Sequence, residues 1–266
     1  AWRQYLVFIG NALRGDLGNS FVHGVPAINL IISRLPATFE LVLLAMMVAI
    51  GVGVPLGLVA GLNPESRPAR VIMAGTVLGY SLPSFWKGMM LILLFAVALG
   101  WLPTAGRGET IALAGVSVSF LTANGLKHLV LPVINLAVFQ IALIARLVAA
   151  GATEAMQQDY VKYARAKGVR RQRIIGRHVL RNILIPVVTV IGIEFGNLVA
   201  FSTITETVFS WPGMGKLLID SVYQLDRPVI VAYVMLATLL FVTVNLLVDL
   251  LYAALDPRVT LTGGSA

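Results

Sequence analysis

Cysteine is absent, which excludes disulfides and thiolate-held metals. Charge is scarce as well. Asp, Glu, Lys and Arg together make up 12% of the 266 residues, against about 25% in a soluble domain. No ordinary water-exposed surface can be built from so little charge. The three histidines, His23, His128 and His178, lie far apart in the sequence and offer little for a metal site. No G-x-x-x-x-G-K-[ST] run is present to cradle a nucleotide, and no charged start followed by an apolar stretch and a cleavage site marks a signal peptide. What the chain has is apolarity. Hydrophobic residues make up 58% and the mean hydropathy is +0.88. Lipid is therefore the expected solvent for most of it.

A spanning helix needs about 20 mostly apolar residues. Five stretches qualify, at 37–62, 71–100, 126–151, 183–205 and 229–255. All are expected to be helical, because lipid offers no partners to unpaired backbone groups. Nine of the twenty basic residues fall between Arg146 and Arg181. Such a block could face nucleic acid or anionic lipid or be a cytoplasmic loop, and because apolar stretches flank it on both sides the loop is the default reading. Alternation then puts 63–70 and the tail 256–266, with Arg258, inside. It puts 1–36, 101–125 and 206–228 outside. Five spans leave the first residue outside and the last inside. A chain without a cleaved signal reaches that state through one more helix, so a sixth span is expected upstream of Ala1.

Within the spans, Ala45, Ala49, Gly53, Gly57 and Gly61 recur every four residues and form a stripe without bulk. Gly192, Gly196 and Ala200 repeat the pattern. Such stripes let helices approach closely. An ionisable group at mid-membrane costs about 2.5–3.5 kcal/mol, so it faces a cavity or a partner. Glu194 and Asn197, three apart and away from the small stripe, suit either a pathway lining or a hydrogen bond to a neighbouring helix. Gln140, Asn245 and Asp249 are weaker candidates. Pro83 should bend the second span, and Lys87 just after it is expected to snorkel or pair rather than bind a solute. Residues 27–35 read as a short amphipathic helix ahead of the first span. The segment 206–220 mixes aromatics, a Pro-Gly turn and an amphipathic stretch, and is expected to lie on the outer interface.

The segment 157–186, QQDYVKYARAKGVRRQRIIGRHVLRNILIP, differs from a plain basic loop. Tyr160, Tyr163, Ala164 and Lys167 fall at helical spacing, and Gly168 suits the residue just past a helix end. A small-faced helix of this kind fits a groove in another protein. A second basic helical stretch follows and leads into the next span.

Tyr163-Ala-Arg-Ala-Lys-Gly168 with Arg177-His-Val-Leu-Arg-Asn-Ile-Leu-Ile-Pro186 resembles the cytoplasmic "EAA" loop of binding-protein-dependent ABC importer permeases, in particular the dipeptide/oligopeptide/nickel branch. The likeness extends over almost the whole chain, through Gly15-Asp-Leu-Gly18, Arg34-Leu-Pro-Ala-Thr-Phe-Glu40, Ser81-Leu-Pro-Ser-Phe-Trp86, Leu99-Gly-Trp-Leu-Pro103, Phe209-Ser-Trp-Pro-Gly-Met-Gly215 and Asn245-Leu-Leu-Val-Asp-Leu-Leu-Tyr-Ala-Ala-Leu-Asp-Pro-Arg258. It departs from the general pattern at Lys162, which stands at the glutamate position, at Ile185 before Pro186, and in a longer gap after Gly168.

The resemblance implies an all-α polytopic helix bundle of the type I ABC importer permease fold in the bacterial inner membrane. Residues 1–36 would be an extracytoplasmic segment, 37–258 the permease domain with a coupling loop at 152–182, and 259–266 a tail. It implies a non-catalytic subunit that forms a peptide pathway with a homologous second permease subunit. Two cytoplasmic ATPases would bind ATP and Mg, this chain holding no cofactor and no metal. An extracytoplasmic binding protein would deliver the solute. Carried over residue by residue, the ATPase contact falls on Asp159, Tyr160, Tyr163, Ala164, Ala166, Lys167 and Gly168. Trp211, Pro212 and Gly213 become candidates for docking the binding protein or, alternatively, for an interfacial cap. A secondary transporter remains the rival reading, although no internal repeat is visible. A membrane-bound enzyme would need a convergent catalytic set, and none is evident.

Overall fold

The computed structural model describes residues 2–12, 14–113 and 115–255. The expected tail, with Arg258, lies outside them, as does the side chain of Asp249. Helices dominate. α1 (Trp2–Ala12) is followed by α2 (Ala27–Leu62), α3 (Arg67–Ser81) and α4 (Ser84–Leu91), which continues as a π-helical stretch, Ile92–Ala98. Then come α5 (Ala123–Gln157), α6 (Asp159–Ala166), α7 (Arg171–Arg173), a second π-helical stretch at Ile174–Val179, α8 (Leu180–Phe201), α9 (Thr203–Val208), α10 (Met214–Tyr223) and α11 (Arg227–Leu255).

Helices stand at all five segments expected to span. Three of them, Ala27–Leu62, Ala123–Gln157 and the Arg227–Val248 part of α11, are long and apolar enough to cross a membrane. A fourth is added if α3 and α4 with its π-helical continuation count as one broken span, and Pro186–Ala200 is a shorter apolar helix. The break falls where Pro83 was expected to act, since its ring and missing N–H cannot continue the α3 ladder. One expectation needs correction. The short helix at 27–35 is not separate but runs without interruption through Pro36 into the first span. Ala37, Thr38 and Leu41 just beyond it are buried, and that packing outweighs the one hydrogen bond proline removes. The segment 101–125 carries a small antiparallel hairpin, β1 (Ile111–Leu113) with β2 (Val116–Val118), paired Ile111↔Val118 and Leu113↔Val116. Strands of three residues are too short to show a period of two in the sequence.

The chain divides into two compact units. The first comprises Ala1–Ala45, Leu82–Leu136 and Asn197–Phe241. It is organised by buried carboxylates. Glu40 of α2 accepts the backbone N–H of Ser119 (2.6 Å) and of Phe120 (3.0 Å), the Ser119 hydroxyl (2.9 Å) and Arg107 Nε (3.0 Å). The same guanidinium lies 5.6 Å from the centre of the Trp211 ring. Glu206 of α9 accepts hydroxyls from Thr38 (2.7 Å) and Ser202 (3.0 Å) and the N–H of Lys216 (2.9 Å) in the first turn of α10. Burial pushes its carboxyl above the usual range, while these donors pull the other way. Gly213 is required here, because a Cβ at that position would collide with the Glu206 carboxylate. Asp226 precedes α11 and receives the Ser20 hydroxyl and the Phe21 N–H. Burial opposes its ionisation, but the donors prevail and hold its carboxyl below the ordinary value.

The second unit comprises Met46–Ser81, Ala137–Gly196 and Val242–Ala266. The small stripe of α2 does here what its spacing predicts. A Cβ on Gly53 would meet Ile144 at 3.1 Å, one on Gly57 would meet the Ala145 carbonyl and Val148 at 2.6 Å, and one on Gly61 would collide with Ala149. The Thr153 hydroxyl reaches the Gly61 carbonyl at 3.1 Å across the same seam. Gly192 of the second stripe is closed over by Val248 in the same way. Tyr80 stacks on Phe139 with centroids 4.8 Å apart.

Two predictions follow from this packing. Gly57→Val should lower stability by about 1–3 kcal/mol, as overpacking does, whereas Gly51→Ala, where nothing lies within 4 Å, should be neutral or slightly stabilising. Thermal unfolding in detergent distinguishes them, and equal effects would contradict the seam. Arg107→Met should cost about 3–5 kcal/mol by stranding the buried Glu40 carboxylate. Adding Glu40→Gln should recover part of that loss, so strictly additive losses in the double-mutant cycle would contradict the pairing.

Candidate functional site

The segment after α5 is built from local signals. Gln158 is extended and starts α6, and Asp159 stands in its first turn, where a negative charge suits the helix dipole. Asp159 pairs with Lys162 at 2.8 Å, and that hydrogen bond and charge hold its carboxyl below the usual range. The helix stops at Gly168, whose φ of +72° places it in the left-handed region. The N–H groups of Gly168 and Val169 return to the carbonyls of Arg165 (2.9 Å) and Ala164 (3.1 Å). This is the reciprocal end motif that a glycine allows at low cost.

One face of α6 is already occupied. Val161 and Ala164 are buried, at 0% and 8% exposure. The expectation that Ala164 shares a presented face with Tyr160, Tyr163 and Lys167 is therefore corrected: Ala164 turns inward with Val161, three residues away on the helix. The outward set of predicted contacts is Asp159, Tyr160, Tyr163, Ala166, Lys167 and Gly168, and Lys162 and Arg165 are exposed beside them. Tyr163 is 63% exposed, and the Lys167 ammonium lies 4.5 Å from the centre of its ring. An exposed tyrosine under a cation offers a rigid apolar plate with polar edges, of the kind that fills a pocket in a partner.

The pathway candidates sort differently. The structure brings Gln140 and Glu194 together within the second unit, Gln140 Nε2 donating to Glu194 Oε2 at 3.0 Å. Gln140 is buried, and its Oε1 has no partner among the described residues. Sequence spacing could not pair residues on separate helices 54 positions apart. Asn197, on the same helix as Glu194, is half-buried in the first unit. Asn245 is also half-buried. Lys87 is buried rather than snorkelling, and forms no ion pair among the described residues.

The docking candidates need a further correction. Trp211 is wholly buried and donates Nε1–H to the Ala37 carbonyl at 2.9 Å. Gly213 is buried against Glu206, and only Pro212 is partly open. The run is the cap of the first unit, not a presented surface. Exposed apolar residues of that unit include Trp101 and Tyr223. Sequence reading missed Glu40 and Glu206 altogether. The available signal was a carboxylate at the entrance of an apolar span, with Arg107 and the Pro-Gly turn elsewhere in the chain to receive it. Among the described residues no group of three or more His, Cys, Asp or Glu could hold a metal ion.

Comparison with known proteins bears on these arrangements. The backbone is similar to a chain of the inward-facing MetNI methionine ABC transporter, with TM-score 0.67 and 18% identity over 85% of this chain and 96% of that one. It is also similar to a chain of an amino acid ABC transporter, with TM-score 0.62 and 17% identity over 85% and 94%. These likenesses carry the fold, that of type I ABC importer permeases. In sequence, the chain is 38% identical over 257 residues to the oligopeptide transport system permease protein AppB of Bacillus subtilis, covering 96% of this chain and 79% of that protein. It is 39% identical over 272 residues to the di/tripeptide transport system permease protein DppB of Pseudomonas aeruginosa, covering 97% and 80%. The glutathione transport system permease protein GsiC of Pectobacterium atrosepticum is 41% identical over 256 residues, covering 96% and 78%. Residues 53–261 match the family described as binding-protein-dependent transport system inner membrane component. The chain belongs to that family and is a multi-pass inner-membrane permease subunit of an ABC transporter, not an enzyme.

Proposed function

We propose that this subunit imports peptides, and that α6 is where ATP hydrolysis on a partner is converted into movement of the pathway. The observation that carries the coupling is α6 itself. It is a short helix with one face buried in its own chain and the other bearing Tyr160, Tyr163 and Lys167 outward. It ends on a glycine that fixes its exit. A helix held from behind and open in front can pass a push from a partner into the chain that holds it. The outward set would sit in the cleft of a cytoplasmic ATPase, two of which supply bound ATP and Mg. ATPase closure would then shift α6 as a rigid body. The basic block around α6 supports a cytoplasmic position for it. Alternation of five crossings then places residues 1–36 and the first residue outside and the 259–266 tail inside, with 37–258 as the permease domain.

Peptide as the solute is supported by the relatives named for oligopeptides, di- and tripeptides and glutathione, which share an amide backbone and charged ends. Gln140 with Glu194, and Asn197, supply polar groups of the sort that line a hydrated path. A homologous subunit would supply the opposite wall. An extracytoplasmic binding protein would deliver solute to the outer loops, with Trp101 and Tyr223 as contacts in place of the buried Trp211.

The test is ATP-driven uptake by the assembled transporter in proteoliposomes. Tyr163→Glu with Lys167→Glu alters only exposed side chains, so the unfolding midpoint should not move. Uptake of a tripeptide, and the ATPase stimulation that accompanies it, should fall about tenfold or more, the effect of losing one contact hot spot. Unchanged uptake would remove α6 from the coupling path. Uptake that proceeds without any ATPase would instead support a secondary transporter, and stimulation by a nickel chelate but not by peptides would reassign the solute.

A further inference from the structure

The second unit contains a cavity of about 540 Å³ that the transport reading leaves unused. It lies where two long apolar helices end, bordered by Leu62 and Asn63 at the end of α2 and by Met156 at the end of α5. Arg165 of α6 and Arg171 of α7 line it, over an apolar floor that includes the buried Ile174. Arginines near helix C-termini often serve only to satisfy the last carbonyls. These two do not. Arg171 donates to the Asn63 side chain at 3.1 Å, and Arg165 approaches Met156 Sδ at 3.8 Å. Among the described residues neither forms an ion pair.

A guanidinium carries five donors in a planar fork, so most of the donor capacity at this cavity has no partner among the described residues and is left to solvent or a ligand. Arg170 and Arg173, near Arg171 in the sequence and likewise exposed, add to the positive potential around the cavity. The site thus combines converging guanidinium groups, a neutral amide that orients one of them, and an apolar floor. That combination suits a phosphate ester attached to an apolar body. Its level also fits. The apolar run of α2 ends at Leu62 and that of α5 at Gly151, five residues before Met156, so the cavity lies on the polar side of the headgroup layer, within reach of phosphates.

We infer that this cavity binds the phosphate of an anionic phospholipid in the leaflet facing α6, which ties the root of that helix to the membrane. The inference rests on the cytoplasmic placement of α6 proposed above, where anionic headgroups concentrate. Arg165 is exposed, but its guanidinium reaches back to Met156 at the end of α5, and Arg171 stands beyond α6, whereas the Tyr163 ring lies under Lys167. A lipid on the cavity side and an ATPase against Tyr160 and Tyr163 can therefore be held together.

The test is native mass spectrometry of the complete transporter, titrated with phosphatidylglycerol or with zwitterionic phosphatidylcholine. The wild-type complex should retain phosphatidylglycerol preferentially. Arg165→Gln with Arg171→Gln should weaken that retention about tenfold, the loss of one charge-assisted hydrogen bond, and leave phosphatidylcholine unaffected. Arg170→Gln with Arg173→Gln removes the same charge beside the cavity and should change little. If the double variant does not fold, Arg165→Gln alone, at an exposed position, should still weaken retention. No preference for phosphatidylglycerol in the complete transporter would overturn the inference, as expected if an acidic segment of the ATPase filled the cavity. Equal losses in the two double variants would overturn it too. Competition by millimolar inorganic phosphate without any lipid preference would assign the cavity to a free anion and overturn the lipid reading. ATP-driven uptake on the same preparations separates the two proposals. Transport without lipid preference sinks only this one, and lipid preference without coupling sinks only the other.

Discussion

Polar groups placed in hydrocarbon must find their partners inside the protein, and this constraint governs the molecule. With 12% of its residues charged, the chain has few such groups, and most of those inside are assigned. Glu40 is met by Arg107 and two backbone donors, Glu206 by two hydroxyls and the start of α10, and Gln140 by Glu194. Replacing a buried carboxylate network by apolar side chains is often neutral or stabilising. Its value here lies in position. Each carboxylate fastens a loop or helix start to a spanning helix at one register, which apolar packing alone would leave free to slide. The remaining freedom is removed by the small stripe of α2, where backbone approaches backbone and only glycine fits.

The two devices serve different ends. In the first unit, polar pairs fix non-helical chain. The 106–120 loop and the segment at Ser20 are each tied to a buried acid, and the Trp211 turn to the Ala37 carbonyl. In the second unit, close helix packing makes a stiff support behind α6, whose Val161 and Ala164 are buried while its tyrosines face outward. A rigid support with an exposed, terminated helix is what a subunit needs if it is to be moved by a partner rather than to react chemically itself.

How far this was legible in the sequence depends on the range of the interaction. Helices at the five apolar segments, three of them long and apolar enough to cross a membrane, the helix break at Pro83, the glycine seam, α6 and its end at Gly168 all follow from periodicity and backbone chemistry within a few residues, and the structure has them. What was illegible joins distant positions. Trp211 reads as an exposed aromatic next to a Pro-Gly turn, yet Ala37, 174 positions away, takes its N–H and buries it. Ala164 falls at the right spacing for an outward face, but helical spacing gives a face without saying which way it points, and packing of Val161 and Ala164 inward decided the matter. Pro36 reads as a helix boundary and is not one, because buried contacts just beyond it outweigh one lost hydrogen bond.

The central claim is that α6 presents Tyr160, Tyr163 and Lys167 to an ATPase, and the absence of native cysteine gives a direct way to test it. A single Tyr163→Cys substitution in the assembled transporter, treated with a short thiol-to-amine crosslinker, reports on what lies against that position. The account predicts one product with the combined mass of this chain and an ATPase subunit, with a yield that changes between nucleotide-free and ATP-bound states. A Tyr163→Cys thiol that reacts freely with a water-soluble maleimide in the intact complex and yields no crosslink in either state would contradict it.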